Sequence, residues 1–251
     1  MSEARIRLYV DQALAVGQAV AVGMDQANYL FNVMRLVAGD AVLLFNGRDG
    51  EWRAVVQQAG KRAGVLLCEA QTAALRLPPD LWLIFAPIKK ARTDFIVEKA
   101  VELGAARVMP VQTLRTNSDR IRQDKLQAHA MEAAEQCGAT YVPEVTEIMP
   151  LDHLLATWPP ERQLLWCDEA RAGDPVALSG PRGDPVALSG PRGGAWAILI
   201  GPEGGFAPDE QTRLRDLPQV VSLSLGPRIL RADTAAVAAL TLWQAAMGDW
   251  G

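Results

Sequence analysis

The chain is poor in the residues that build metal centres and disulfide frameworks, with three cysteines and two histidines among 251 residues. Cys68, Cys137 and Cys167 are odd in number and far apart, and His129 and His153 are the only histidines, so neither a disulfide scaffold nor a Cys/His zinc site is expected. Each cysteine reads as a small buried hydrophobe. Long apolar runs are missing as well. No stretch approaches the roughly 18 residues that cross a bilayer, and the opening MSEARIRLYVDQ carries no apolar segment behind a basic start. No membrane span and no secretory signal are expected, which points to the cytoplasm. Two nucleotide signatures are also absent. There is no Gly-Lys-Ser/Thr of a Walker loop and no Gly-x-Gly-x-x-Gly of a dinucleotide fold.

What is present is a core-forming composition, 49% hydrophobic, and an uneven charge. The net charge of -4 splits into 0 over residues 1–74, +4 over 75–130 and -8 over 131–251. The positive excess sits in IKKARTDF and LRTNSDRIRQDK, where it can act on phosphates over about a Debye length, ~10 Å.

The first part of the chain has strand periodicity: RIRLYV, QAVAVG, AVLLFNGRDGEWRAVVQQ and AGVLLCEA. Asn46-Gly47 and Asp49-Gly50 between apolar alternations signal a hairpin, and a small β-barrel is expected over 1–73. A helix is predicted at MDQANYLFNVMR, with Tyr29, Val33 and Leu36 on one face. After LRLPPD, strands alternate with helices: LWLIFA, TDFIVEKAVELG, ARVMPV, DKLQAHAMEAAEQCG, RQLLWC, AWAILI, QVVSLSL and TAAVAALTLWQAAMG. Thr93 and Asp124 are expected N-caps, with Gly104 and Gly138 as helix stops. Such alternation predicts an α/β domain over 74–251 with a mostly parallel sheet. The decamer GDPVALSGPR, repeated at 173–182 and 183–192, reads as a lengthened surface loop.

In an open parallel sheet, ligands bind beyond the carboxyl ends of the strands. Two such ends run into glycine, LIGPEGGF and LSLGPRILRADT, and two adjacent loops of this kind can hold a ligand between backbones. Glu203 would repel a phosphate, so a ligand without polyphosphate fits better.

The segments KKARTDFIVEKAVELGAARVMPVQTLRT, HAMEAAEQCGATYVPEV, LIGPEGGF and LSLGPRILRADTAAVAAL occur in order. Together the chain resembles the bacterial small-subunit (16S) ribosomal RNA uridine-N3 methyltransferases of the SPOUT superfamily. That resemblance implies an N-terminal PUA-like, RNA-binding barrel and a C-terminal domain knotted as a deep trefoil around S-adenosylmethionine. It also implies a homodimer without metal, acting on the assembled 30S subunit. Asn28 stands where many members have His.

The resemblance places the cofactor against Leu199, Ile200, Gly201, Gly204, Leu225, Gly226, Ile229 and Leu230. Arg231 and Arg228 become candidates to stabilise charge on the uracil oxygens, or else structural partners of Glu203 or Asp233. Arg7, Arg35, Lys89, Lys90 and Arg115 are the expected RNA contacts. Glu98 and Glu102 read as a solvated face paired with Lys99 or Arg92, and no side chain stands out as a general base. Val237, Leu240 and Trp243 of the final helix are expected at the dimer interface. Two alternatives stay open: a SPOUT enzyme methylating a ribose 2′-oxygen, and a catalytically silent RNA-binding knot protein.

Overall fold

The computed structural model describes residue 4 and residues 6–117, 121–168 and 194–250; the repeated decamer lies outside them. The chain forms two compact units. The first comprises Met1–Leu77 with Ala134–Val142, and the second Pro78–Ala133 with Pro143–Gly251. A single cut at 73/74 therefore has no place for the segment 134–142.

In the first unit, β1 (Arg7–Tyr9), β2 (Ala19–Val22), β3 (Ala41–Phe45), β4 (Glu51–Ala59) and β5 (Gly64–Ala73) form one sheet in the order β1-β3-β4-β5-β2. β1 runs parallel to β3, and the other neighbours are antiparallel. The strands turn alternate side chains inward, Leu8, Val20, Val22, Val42, Leu44, Ala54, Val56, Leu66 and Cys68 sharing one core. The expected hairpin joins β3 to β4. Asn46 Oδ1 accepts from the backbone N–H of Arg48 and Asp49, and Gly47 and Gly50 take φ of +76° and +77°.

The helix of this unit departs from its expected face. α1 (Met24–Ala27) widens into a π-helical segment, Asn28–Val33, where the Met34 N–H donates to the Tyr29 carbonyl. Ala27 and Leu30 are buried while Tyr29 and Val33 are exposed. A π turn adds a residue, and each added residue rotates the helix face by about 100°. A 3.6-residue period therefore misplaces the stripe.

In the second unit, β6 (Leu81–Phe85), β7 (Arg107–Gln112), β8 (Glu144–Val145), β10 (Gln163–Cys167), β11 (Trp196–Ile200) and β12 (Val220–Leu223) follow the order β12-β10-β11-β6-β7-β8, with β9 (Met149–Pro150) also on β7. Every recorded pairing is parallel. The helices are α2 (Lys90–Glu102), α3 (Gln123–Cys137), α4 (Leu151–Ala156), α5 (Pro208–Asp216) and α6 (Ala232–Met247). Gly104 and Gly138 follow α2 and α3 with positive φ.

Three local expectations are corrected. Thr93 and Asp124 lie inside their helices rather than capping them; Thr93 Oγ1 bonds back to the backbone of Ile88. Cys137 is exposed at the end of α3. Leu240 and Trp243 are 0% exposed within this one chain, consumed by its own core, so they cannot form an interface.

Candidate functional site

Three strands end together. In register, Cys167 at the end of β10 lies beside Ile200 of β11 and Leu223 of β12, and all three residues line a cavity of about 360 Å³. This is the carboxyl edge of the sheet, where the chain leaves each strand and backbone groups become available to a ligand.

The loop after β11 folds back on itself. Gly205 has φ +65° and donates its N–H to the Pro202 carbonyl at 2.9 Å. A Cβ on Gly201 would sit 2.7 Å from the Phe206 ring. That ring is fully buried and packs edge-on against Trp166, with centroids 5.9 Å apart. Gly201 is thus required by the chain's own packing. The next helix fixes the far end of the loop. The buried Glu210 carboxylate accepts from the Ala207 N–H and from the Leu114 N–H of the loop after β7, both at 2.8 Å. Arg115 reaches the Gly204 carbonyl at 2.8 Å, which ties the same two loops a second time.

The loop after β12 supplies the facing wall. Gly226 has φ +104°, a region open mainly to glycine, and its N–H donates to Ser224 Oγ. Leu225, Arg228, Ile229, Leu230 and Arg231 follow along the cavity, and the first turn of α6 closes it with Ala232 and Ala235.

Charge in the wall is mixed. Asp168 has a side chain only 5% exposed and lies 4.0 Å from Arg215. Glu203 pairs with Arg92 at 3.3 Å, and Arg92 also meets Asp233 at 3.8 Å. Among the described residues, the guanidinium groups of Arg228 and Arg231 have no hydrogen-bond or ion-pair partner, although both line the cavity and are exposed. Burial pushes the Cys167 thiol up to about 12, so it stays protonated and acts as a neutral part of the wall.

A family described as RNA methyltransferase domain matches residues 76–244, and a second, RNA methyltransferase PUA domain, matches 23–66. Over 259 residues the chain is 30% identical to the ribosomal RNA small subunit methyltransferase E of Mycobacterium bovis, covering 96% of this chain and 94% of that relative. The chain belongs to the small subunit methyltransferase E family. The family member from Rickettsia conorii is 27% identical over 93% of each chain. Among solved structures, the Neisseria gonorrhoeae family member bound to S-adenosyl methionine superposes with a TM-score of 0.81 at 27% identity, covering 98% of this chain and 99% of that one. A methyltransferase from Legionella pneumophila in complex with the same cofactor also gives 0.81, at 28% identity over 97% and 98% of the two chains.

The structure gathers most of the expected cofactor residues around one cavity: Ile200, Gly201, Leu225, Gly226, Ile229 and Leu230 all line it. Leu199 does not. It is fully buried on the face of β11 that packs with Trp166 and Phe206, because neighbouring residues on a strand point to opposite faces. Gly204 is also outside the wall, its carbonyl held by Arg115.

Arg7 is corrected as an RNA contact. Its guanidinium bonds Glu51 at 2.6 Å and the carbonyls of Ala134, Glu135 and Ala139, and it stacks on Phe45. Four of its five N–H donors are thereby engaged inside the fold, which leaves little for a phosphate. Lys89 is exposed, and Lys90 is exposed beside Asp94. Arg35 is exposed and is the one non-glycine residue with positive φ, +59°, among the described residues. The sequence reading missed Cys167 and Asp168. Their position at the end of a predicted central strand was the available signal.

Proposed function

We propose that the cavity binds S-adenosylmethionine and that the chain uses it to methylate N3 of a uridine in 16S ribosomal RNA of the assembled small subunit. The observation that carries this reading is the cavity at three parallel strand ends, walled by two glycine loops and two arginines without a partner among the described residues, in a chain of this family. The wall suits the cofactor's chemistry. It offers the backbone of 200–202, 225–226 and 228–230 and apolar Leu223 and Leu225, and among the described residues it contains no lysine to hold a polyphosphate. Asp168, nearly buried beside Arg215, adds a carboxylate to that wall. When bound, the cofactor supplies a methyl group on a positively charged sulfur.

The chain's own residues do the rest. Uracil N3 is an imide nitrogen that carries a proton near neutrality, and losing the proton spreads negative charge onto the flanking carbonyl oxygens. Arg228 and Arg231 face those oxygens and stabilise that charge as the proton leaves. The two loops and the strand ends beneath them form the deep trefoil knot of the SPOUT fold, and a second copy of the chain completes the substrate pocket. Ile229, which lines the cavity yet is 78% exposed, supports such a partner. Arg35, Lys89, Lys90 and Arg115 hold the RNA backbone, and the work takes place in the cytoplasm, where small subunits are.

Incubation of small subunits with methyl-labelled cofactor, digestion to nucleosides and mass analysis tests the assignment. Label is expected in 3-methyluridine. Label in a 2′-O-methyl nucleoside would move the reaction to the ribose, and the absence of label from protein that still binds cofactor would favour a silent RNA-binding protein.

A further inference from the structure

The two arginines of the cavity wall stand among acids that could neutralise them. Glu203 lines the same cavity, and Asp233 lies two residues beyond Arg231 in the first turn of α6. Neither acid takes Arg228 or Arg231 as a partner among the described residues. Both instead meet one other cation, Arg92 of α2, whose Nη1 lies 3.3 Å from Glu203 Oε1 and whose Nε lies 3.8 Å from Asp233 Oδ2. The side chain of Arg92 is 30% exposed, and those of Glu203 and Asp233 are 48% and 20% exposed. Pairs with this much solvent contribute little to stability, so the arrangement needs another explanation.

We propose that Arg92 is a positioning residue that engages Glu203 and Asp233 so that Arg228 and Arg231 remain unpaired for the substrate. The inference rests on the reading that those two arginines serve the uracil oxygens. Three elements meet at Arg92: the first turn of α2, the loop after β11 and the first turn of α6. Coulomb attraction at contact distance near a protein surface is several times stronger than in bulk water. If Arg92 is removed, the freed carboxylates can accept from the flexible guanidinium groups of Arg228 and Arg231, which line the same cavity as Glu203. An arginine held by a carboxylate has fewer donors to offer, and its charge is already compensated when negative charge develops on the base.

The tests are Arg92→Ala, Arg92→Lys and the double variant Arg92→Ala with Glu203→Gln, each measured for single-turnover methyl transfer to small subunits and for cofactor affinity. Arg92→Ala is expected to slow transfer by about tenfold while leaving cofactor affinity within about twofold, because a partly captured arginine loses part of its effect on the transition state. Arg92→Lys should keep most of the rate. Adding Glu203→Gln to Arg92→Ala should recover at least half of the lost rate, an outcome that a merely structural ion pair does not produce. Should Arg92→Ala fail to fold, Arg92→Gln carries the same comparison.

A wild-type rate in the folded alanine variant overturns the inference, as does a double variant as slow as the single one. If Arg231→Ala is inactive while Arg92→Ala is normal, only this inference falls. Full activity in both Arg228→Ala and Arg231→Ala removes it together with the catalytic reading beneath it.

Discussion

Arg7 in the first unit and Arg231 in the second are both arginines, yet the fold gives them opposite surroundings. Arg7 is engaged by a carboxylate, three carbonyls and a ring, whereas Arg231 has no partner among the described residues and lines a cavity. An arginine carries five donors in a fixed fork, and a fold that fills them uses the residue as a strut. A fold that leaves them open leaves the donors free to meet solvent or a ligand. The same contrast applies to the acids. Glu210 is buried with both oxygens bonded to backbone N–H groups, while Glu203 is half exposed and, among the described residues, pairs with Arg92.

The widest separation between the two arginines should appear in catalysis. Arg231→Ala is expected to lower the rate of methyl transfer about 10²- to 10³-fold, the range seen when one donor to a developing anion is removed, with cofactor affinity nearly unchanged. Single-turnover kinetics and calorimetry check the two halves. Arg7→Ala should do the reverse, destabilising the protein by about 3 kcal/mol through the loss of a largely buried charged network while leaving RNA affinity alone. Denaturant unfolding and RNA titration would show it, and weakened RNA binding from a stably folded Arg7 variant would end the comparison.

Gly201→Val comes next. Its first added carbon meets the Phe206 ring at 2.7 Å, so the ring must leave Trp166, costing about 1–3 kcal/mol and spoiling the cofactor wall. Melting temperature and calorimetry with S-adenosylhomocysteine read both effects.

Most of the order of elements was legible because strands and helices in the second unit alternate with clear punctuation. Gly104 and Gly138 ended their helices as expected, since positive φ leaves few residues to choose from. The π-helical segment at 28–33 was not legible, because an extra residue per turn leaves no mark in composition. The site was half legible. Glycine loops at strand ends show in a sequence, but Arg92 reaching Glu203 over 111 positions depends on the tertiary fold. Leu199 and Ile200 show the same limit, with one in the core and the other on the cavity, separated only by strand alternation.

Smaller effects sharpen the contrast further. The Cys167 thiol is raised to about 12 from a reference of 9.0, so between these values the unfolded chain loses a proton that the folded chain keeps. Its contribution to stability is complete below pH 9 and is lost as pH rises from there towards 12. A denaturation midpoint that falls over this range in the wild type, and falls less in Cys167→Ala, would agree. Lys89→Ala should weaken RNA binding only a few-fold and reduce the slope of log affinity against log salt by about one. An unchanged slope would return Lys89 to an ordinary solvated position.

The central claim, that the two glycine loops of the second unit are the cofactor site, is tested most directly by amide hydrogen exchange with and without S-adenosylhomocysteine. Protection is expected in 200–206 and 223–231, the two loops that contribute most of the cavity's lining residues, and not in the strands of the first unit between 7 and 73. Protection confined to other segments, or exchange unaltered at saturating ligand, would contradict it.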